Sequence, residues 1–166
     1  MAREHRYRVR LDWTGNEGSG TASYRTYSRS HILSGEGKPD IEGSSDPHFR
    51  GDPSRWNPEE LLVGALSSCH QLAYLHMCAT AGIVVTAYED DAEGVMVEEP
   101  GGAGQLSSVV LRPRVTVAAG ADVEKANTLH HEAHAVCFIA RSVNFPVTNE
   151  PVIQVEIADQ EKQPSS

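Results

Sequence analysis

Two cysteines and two histidines, Cys69, His70, His76 and Cys78, interrupt the apolar stretch "SSCHQLAYLHMC". A thiolate is a nucleophile and a metal ligand, whereas a protonated buried cysteine is a small hydrophobe, so the surroundings decide which chemistry is open. Cys69 and Cys78 stand nine positions apart, which at about 100° per residue puts them on opposite faces of one helix. They cannot bond to each other there. His70 points about 100° away from Cys69, and His76 lies about 10 Å along the axis, so neither is a natural base for that thiol. A buried thiol lacking a cationic partner is inert, and any charge that activates Cys69 must come from elsewhere.

A second cluster follows in "DVEKANTLHHEAHAVCFIA", where His130, His134 and Cys137 recur at i, i+4 and i+7 on one helical face. That stripe has residue types that ligate zinc. It is not the zincin pattern, because no glutamate directly follows the first histidine of the i, i+4 pair. A three-residue metal site, solvated or core histidines, and a partner thiol for Cys69 all remain open for this face.

The elements that must position these side chains are legible in the same way. "HRYRVRLDW" alternates, with Tyr7, Val9, Leu11 and Trp13 on one face and Arg6, Arg8, Arg10 and Asp12 on the other, and reads as a half-buried strand. A more polar strand is expected over residues 23–33. Residues 34–57, rich in Gly, Pro, Ser and Asp, read as one long loop of a kind that is usually functional or disordered. "NPEELLVGALSSCHQLAYLHMCATAG" predicts a helix capped by Asn57, with Pro58 at its first position, Glu59 and Glu60 at the positive end of its dipole, and Gly82 at its end. Its apolar stripe includes Leu62, Ala65, Leu66, Cys69, Leu72, Ala73 and His76, which places Cys69 inside the stripe and Cys78 off it. "IVVTAYEDDAEGVMV" and "LSSVVLRPRVTV" predict strands joined by the turn "EPGGAG", whose glycines suit a hairpin tip and not a phosphate cradle. A second helix is expected over residues 122–140, then a last strand, "PVIQVEI", and a frayed tail. The order of strands, helix, hairpin, helix and strand predicts an α+β fold of antiparallel strands with two long helices, without the alternation that marks a parallel sheet.

Composition narrows the function. The 166 residues suit one domain, or one protomer of an intertwined oligomer. A formal charge of −9 argues against nucleic acid, whose phosphates demand clustered cations. No apolar run is long enough to cross a bilayer, and "MAREHRYRVR" lacks the apolar segment of a secretory signal. Three cysteines, an odd number, fit a reducing cytoplasm better than a disulfide scaffold.

"WNPEELLVGALSSCH", followed by "AHAVCFIARSVNFPV" at the end of the second helix, resembles the OsmC/Ohr family of thiol-dependent hydroperoxide reductases. The likeness in order of elements extends over residues 5–158, and it is nearest to members with Arg-Gly-Asp-Pro-Ser-Arg-Trp before the Asn-Pro-Glu. The resemblance implies a single α+β domain over residues 1–158, with a flexible tail at 159–166, in an intertwined homodimer whose paired cysteines lie near the dimer interface. It makes Cys69 the peroxidatic thiol, Cys137 the resolving thiol, and Glu59 the family's glutamate. For the family's arginine there are two matches, Arg50, one residue short of the expected distance, and Arg55. Two positions depart from the pattern: Phe138 replaces the usual proline after Cys137, and His70 stands where an aromatic or small residue follows the first cysteine.

The resemblance implies an organic-hydroperoxide peroxidase in which a Cys69 thiolate becomes a sulfenic acid and then a Cys69–Cys137 disulfide. It needs no cofactor; its partners are a second copy of the chain, an organic hydroperoxide, and a dithiol reductant of lipoyl type or a small thiol. An arginine, never deprotonated in proteins, would favour the thiolate, and an apolar helix face would favour a greasy peroxide. Two competing readings are a non-catalytic protein of the same fold binding a small apolar ligand, and a metal-binding protein using His130, His134 and Cys137.

Overall fold

The structure, a computed structural model, describes residues 1–157, so the tail expected at 159–166 lies outside the described residues. The chain divides into two compact units, one of residues 1–61 and one from Leu62 onward.

In the first unit, β1 (Arg10–Trp13), β2 (His31–Ser34) and β3 (Ile41–Gly43) form an antiparallel sheet in which Leu11 faces Leu33 and Leu33 faces Ile41. The predicted first strand is present only at its C-terminal end, because the four residues of β2 pair no further back than Arg10. Nor is it half-buried. Leu11 and Trp13 are 60% and 43% exposed, so the apolar face read from the alternation is uncovered in the protomer. The second strand begins only at His31. Upstream, where residues 24–25 turn and Tyr27 bridges to Asn16, the Arg29 guanidinium sits 4.3 Å and 4.1 Å from the Tyr24 and Tyr27 rings and donates to both their carbonyls.

The long loop is more ordered than its composition implies. It holds β3, a short 3-10 helix (Pro47–Phe49) capped by the Asp46 carboxylate, and a parallel bridge between Gly43 and Trp56. At Gly51 a Cβ would come within 1.5 Å of the Ser45 carbonyl oxygen, so the return of the loop past Ser45 demands glycine.

Helix α1 spans Pro58–Thr80, as predicted. Its start is a capping box: Asn57 Oδ1 accepts from the Glu60 amide at 2.8 Å, and Glu60 Oε2 accepts from the Asn57 amide at 3.1 Å. Its end is a left-handed Gly82, φ +74°, with the Ile83 amide returning to the Cys78 carbonyl.

In the second unit each predicted long strand is broken in two. β4 (Val85–Asp90) and β5 (Glu93–Glu98) part at Asp91–Ala92, and β6 (Gly104–Leu111) and β7 (Pro113–Val117) part at Arg112. The pairs β4–β7 and β5–β6 are antiparallel, with the hairpin turn at 99–103 where it was expected. β8 (Val147–Asn149), which the sequence reading did not foresee, and β9 (Val152–Val155) add parallel pairings to β6 and β7. Two three-stranded sheets result, β4-β7-β9 and β5-β6-β8, within an α+β fold.

Helix α2 (Val123–Val136), capped by Asp122, stops four residues before the expected Ala140. Cys137 is already extended, and residues 139–147 turn inward, where Ile139, Ala140, Val143, Phe145 and Val147 pack on Leu66, Val109 and Leu111. Burial of that apolar segment overrides continuation of the helix. The larger core joins Tyr74 and Cys78 of α1 to Val115 and Val117 of β7 and to Ala126, Leu129 and Ala133 of α2.

Candidate active site

Four-residue steps along α1 bury one row against the rest of the second unit: Leu66, His70, Tyr74 and Cys78. Cys69 stands beside that row and is half-buried, whereas Cys78 belongs to it and is 1% exposed. This reverses part of the sequence reading, which placed Cys78 off the buried stripe. Leu72, assigned to the stripe, is 63% exposed. The reason is that histidine and tyrosine, counted as polar or ambiguous in the pattern, occupy the contact row and hydrogen-bond there.

Cys137 caps the end of α2 and is buried. Its thiol is near enough to Cys69 for each to perturb the other, and no disulfide joins them. Burial raises the Cys137 pKa, the neighbouring Cys69 thiol raises it further, and the amides of Ala140 and Ile139 oppose this. The result is a partly exposed thiol near a buried one whose raised pKa keeps it protonated at neutral pH. Cys78 is also raised by burial, against a smaller opposing influence of the neighbouring Tyr74 hydroxyl.

The other predicted residues are placed as follows. Arg50 follows the 3-10 helix and is the one non-glycine residue with positive φ among those described, at +63°. Its side chain makes no hydrogen bond or ion pair among the described residues. Arg55 is engaged instead: its guanidinium lies 3.4 Å from a Glu42 oxygen, 3.9 Å from an Asp52 oxygen, and 3.4 Å from the His31 carbonyl oxygen. Glu59 sits in the first turn of α1, but the capping bonds belong to Glu60, and Glu59 has no side-chain partner among the described residues.

The stripe His130–His134–Cys137 is not a free ligand set. His130 is 1% exposed and hydrogen-bonds His70, and among the described residues no group of three or more His, Cys, Asp or Glu is arranged to hold a metal. An apolar depression of about 390 Å³, lined by Leu75, Cys78, Ala79 and residues 82–85, lies at the far end of α1 from Cys69. Nine residues, about 13 Å of helix, separate the two cysteines along the axis.

Sequence reasoning missed two links. The Ser67 hydroxyl donates to Asp90, which also accepts from the Arg112 amide at 2.7 Å and so ties α1 to the end of β4. The second is the bond between His70 and His130. The one signal for it was a histidine on each helix at a position whose i±4 neighbours are apolar or aromatic.

Comparison with known proteins identifies the family. The profile of the OsmC-like protein family matches residues 51–151. The fold is similar to that of an OsmC-like protein of unknown function from Vibrio cholerae O1 biovar eltor, with TM-score 0.80 and 31% identity, covering 90% of this chain and all of that one. It is also similar to an organic hydroperoxide resistance protein OsmC of Legionella pneumophila, with TM-score 0.65 and 16% identity over 93% of this chain and 100% of that one. YmaD of Bacillus subtilis (strain 168), described as uncharacterized, is 24% identical over 144 residues, which is 84% of this chain and 87% of that protein. No helix among the described residues is long and apolar enough to cross a membrane. The profile match over more than half of the chain and the 31% identity over 90% of it make the chain a member of the OsmC-like family.

Proposed function

We propose that this protein is a thiol-dependent peroxidase that reduces organic hydroperoxides to alcohols. The observation that carries the reading is a partly exposed Cys69 with a buried Cys137 near enough to be perturbed by it, the pKa of Cys137 raised by burial and by that neighbour. In the first step the Cys69 thiolate attacks the O–O bond. One oxygen passes to sulfur, and the alkoxide takes a proton and leaves as the alcohol. In the second, the Cys137 thiol condenses with the Cys69 sulfenic acid, forming the S–S bond and releasing water. A dithiol of lipoyl type, or a small thiol pair, then takes up the oxidation as its own disulfide and returns both cysteines to thiols.

Arg50 is the activating cation in this reading, supported by its unengaged side chain, while Arg55 is held by Glu42 and Asp52. Glu59, free of capping duty and about 15 Å along the helix axis from Cys69 of its own chain, serves the second copy's site, where it orients the guanidinium through charge-assisted hydrogen bonds. The working unit is a homodimer in a reducing cytoplasm; the uncovered apolar face of β1 and three free cysteines are consistent with that. The organic hydroperoxide resistance proteins among the structural neighbours make peroxide detoxification the natural role to test.

Free-thiol titration before and after one equivalent of cumene hydroperoxide is the direct test. The reading expects a loss of two thiols and a mass decrease of two hydrogens per chain. Unchanged thiols would discard it in favour of a non-catalytic member of the fold.

A further inference from the structure

We propose that His70 and His130 form an inter-helix brace that positions Cys69 of α1 against Cys137 at the end of α2. The inference rests on the reading of these two thiols as a reactive pair. His70 directly follows Cys69, and His130 lies seven residues, about two turns, before Cys137. His70 Nε2 and His130 Nδ1 are 3.0 Å apart, and the two ring planes differ by only 11°, so the N–H of one ring meets the lone pair of the other nearly in plane. Tyr74, one turn beyond His70, stacks on His130 at 3.8 Å between ring centroids and donates its hydroxyl to the Ala126 carbonyl at 3.0 Å. The two helices are thus joined by two hydrogen bonds that share one aromatic stack.

The arrangement is costly as a simple packing device. Both rings are 1% exposed, and the outer nitrogens, His70 Nδ1 and His130 Nε2, have no partner among the described residues. Two apolar side chains would fill the volume without those orphaned groups. An apolar contact, however, tolerates sliding and rotation, whereas a hydrogen bond between two rings is lost within a few tenths of an ångström. A turn of α1 by one residue is about 100°, enough to carry Cys69 away from α2. Disulfide formation is equally demanding, because the two Cα atoms must lie within about 4.4–6.8 Å. The brace therefore serves geometry: it fixes the rotation of α1 against α2 and so keeps Cys69 on the side that faces Cys137.

The test uses the full chain and two measurements. One is the rate of Cys69–Cys137 closure on adding diamide, which oxidises a dithiol to a disulfide while becoming the hydrazine. The other is the alkylation rate of Cys69. In an imidazole, Asn mimics Nδ1 and Gln mimics Nε2, so His130→Asn and His70→Gln keep the hydrogen bond, while His130→Leu and His70→Leu remove it. The leucine variants should close at least tenfold more slowly with Cys69 alkylation within about twofold of wild type, and the amide variants should close within about threefold of wild type. Unchanged closure in folded leucine variants would overturn the brace, as would equal slowing by the leucine and amide variants, which would indicate packing alone. If the leucine variants do not fold, His130→Gln, which displaces the amide by one carbon, takes their place against His130→Asn; equal rates in those two would overturn it. Diamide closure is independent of peroxidase activity. A wild type that closes with diamide but ignores cumene hydroperoxide would discard the proposed function and leave the brace standing.

Discussion

The buried Cys137 thiol lies near the half-buried Cys69, and burial together with that neighbour raises its pKa. Three cysteines with such different surroundings differ in reactivity. Iodoacetamide at pH 7 should label Cys69 first, at least tenfold faster than Cys78 or Cys137, because those two are buried with raised pKa values. Peptide mass mapping over a time course checks the order. Labelling of Cys78 at the rate of Cys69 would contradict the placement of Cys78 in the core row.

Separating the two oxidation steps gives the second expectation. Cys69→Ser should abolish hydroperoxide consumption. Cys137→Ser should react once and stop at a sulfenic or over-oxidised Cys69, gaining oxygen where the wild type loses two hydrogens. Cys78→Ser should retain the activity, its effect falling on stability, because the thiol lies in the apolar core with Ile83 and Val117. A mixed disulfide involving Cys78 in the wild type would sink this assignment.

How much of this was readable beforehand depended on the kind of signal. Asn57, Pro58 and Gly82 mark the ends of α1 by local backbone chemistry, and local chemistry is visible in sequence. The end of α2 was not visible, since nothing local stops a helix at Val136; the demand comes from Phe145 and its neighbours packing on Leu66 and Val109. The same holds for the breaks at Ala92 and Arg112, where continuous strand-like sequence divides between two sheets. Cys69 and Cys137 stood out as candidates by residue type, but their pairing came only from the resemblance, because partners on different elements leave no periodicity. The row Leu66–His70–Tyr74–Cys78 was misread for a related reason. A hydropathy pattern scores His70 as polar, yet hydrogen bonding to His130 lets it sit in the core.

That buried pair predicts acid sensitivity. Burial first, then the nearby His134, lowers the pKa of His70 from 6.5 to about 4, with Asp90 opposing; burial, His70 and His131 lower that of His130 from 6.5 to about 3. Both rings are therefore neutral in the folded chain and recover an ordinary pKa on unfolding. Between those limits the unfolded chain binds more protons, so stability is full above about pH 7 and falls as pH drops below 6.5. The slope approaches about 1.4 kcal/mol per pH unit for each ring. Urea unfolding between pH 5 and 8, above the range where carboxylates titrate, should show this decline in the wild type. It should be much weaker in a His70→Gln, His130→Asn double variant. An equal decline in the two proteins would assign the acid sensitivity to other groups.

Glu59 and Glu60 offer the sharpest contrast of neighbouring, chemically identical side chains. Glu60 completes the capping box with Asn57, so Glu60→Ala and Asn57→Ala should each destabilise the protein, by about 0.5–2 kcal/mol for the Asn57 cap, measured by urea unfolding. Glu59 holds no capping bond, and its remaining influence on the helix is the favourable position of a carboxylate in the first turn, about 0.3–1 kcal/mol. Its proposed role is to orient Arg50 beside the thiol. Glu59→Ala and Arg50→Ala should therefore slow Cys69 alkylation and hydroperoxide turnover together, by tenfold or more. Arg55→Ala should instead leave the alkylation rate nearly unchanged, its cost falling on the loop that it ties to Glu42. In the Glu59→Ala, Arg50→Ala double variant the two losses should not add, because a carboxylate that acts only by orienting a guanidinium has nothing left to orient. Fully additive losses would show that Glu59 acts independently of Arg50. A Glu59→Ala protein as reactive as wild type would remove the glutamate from the site altogether.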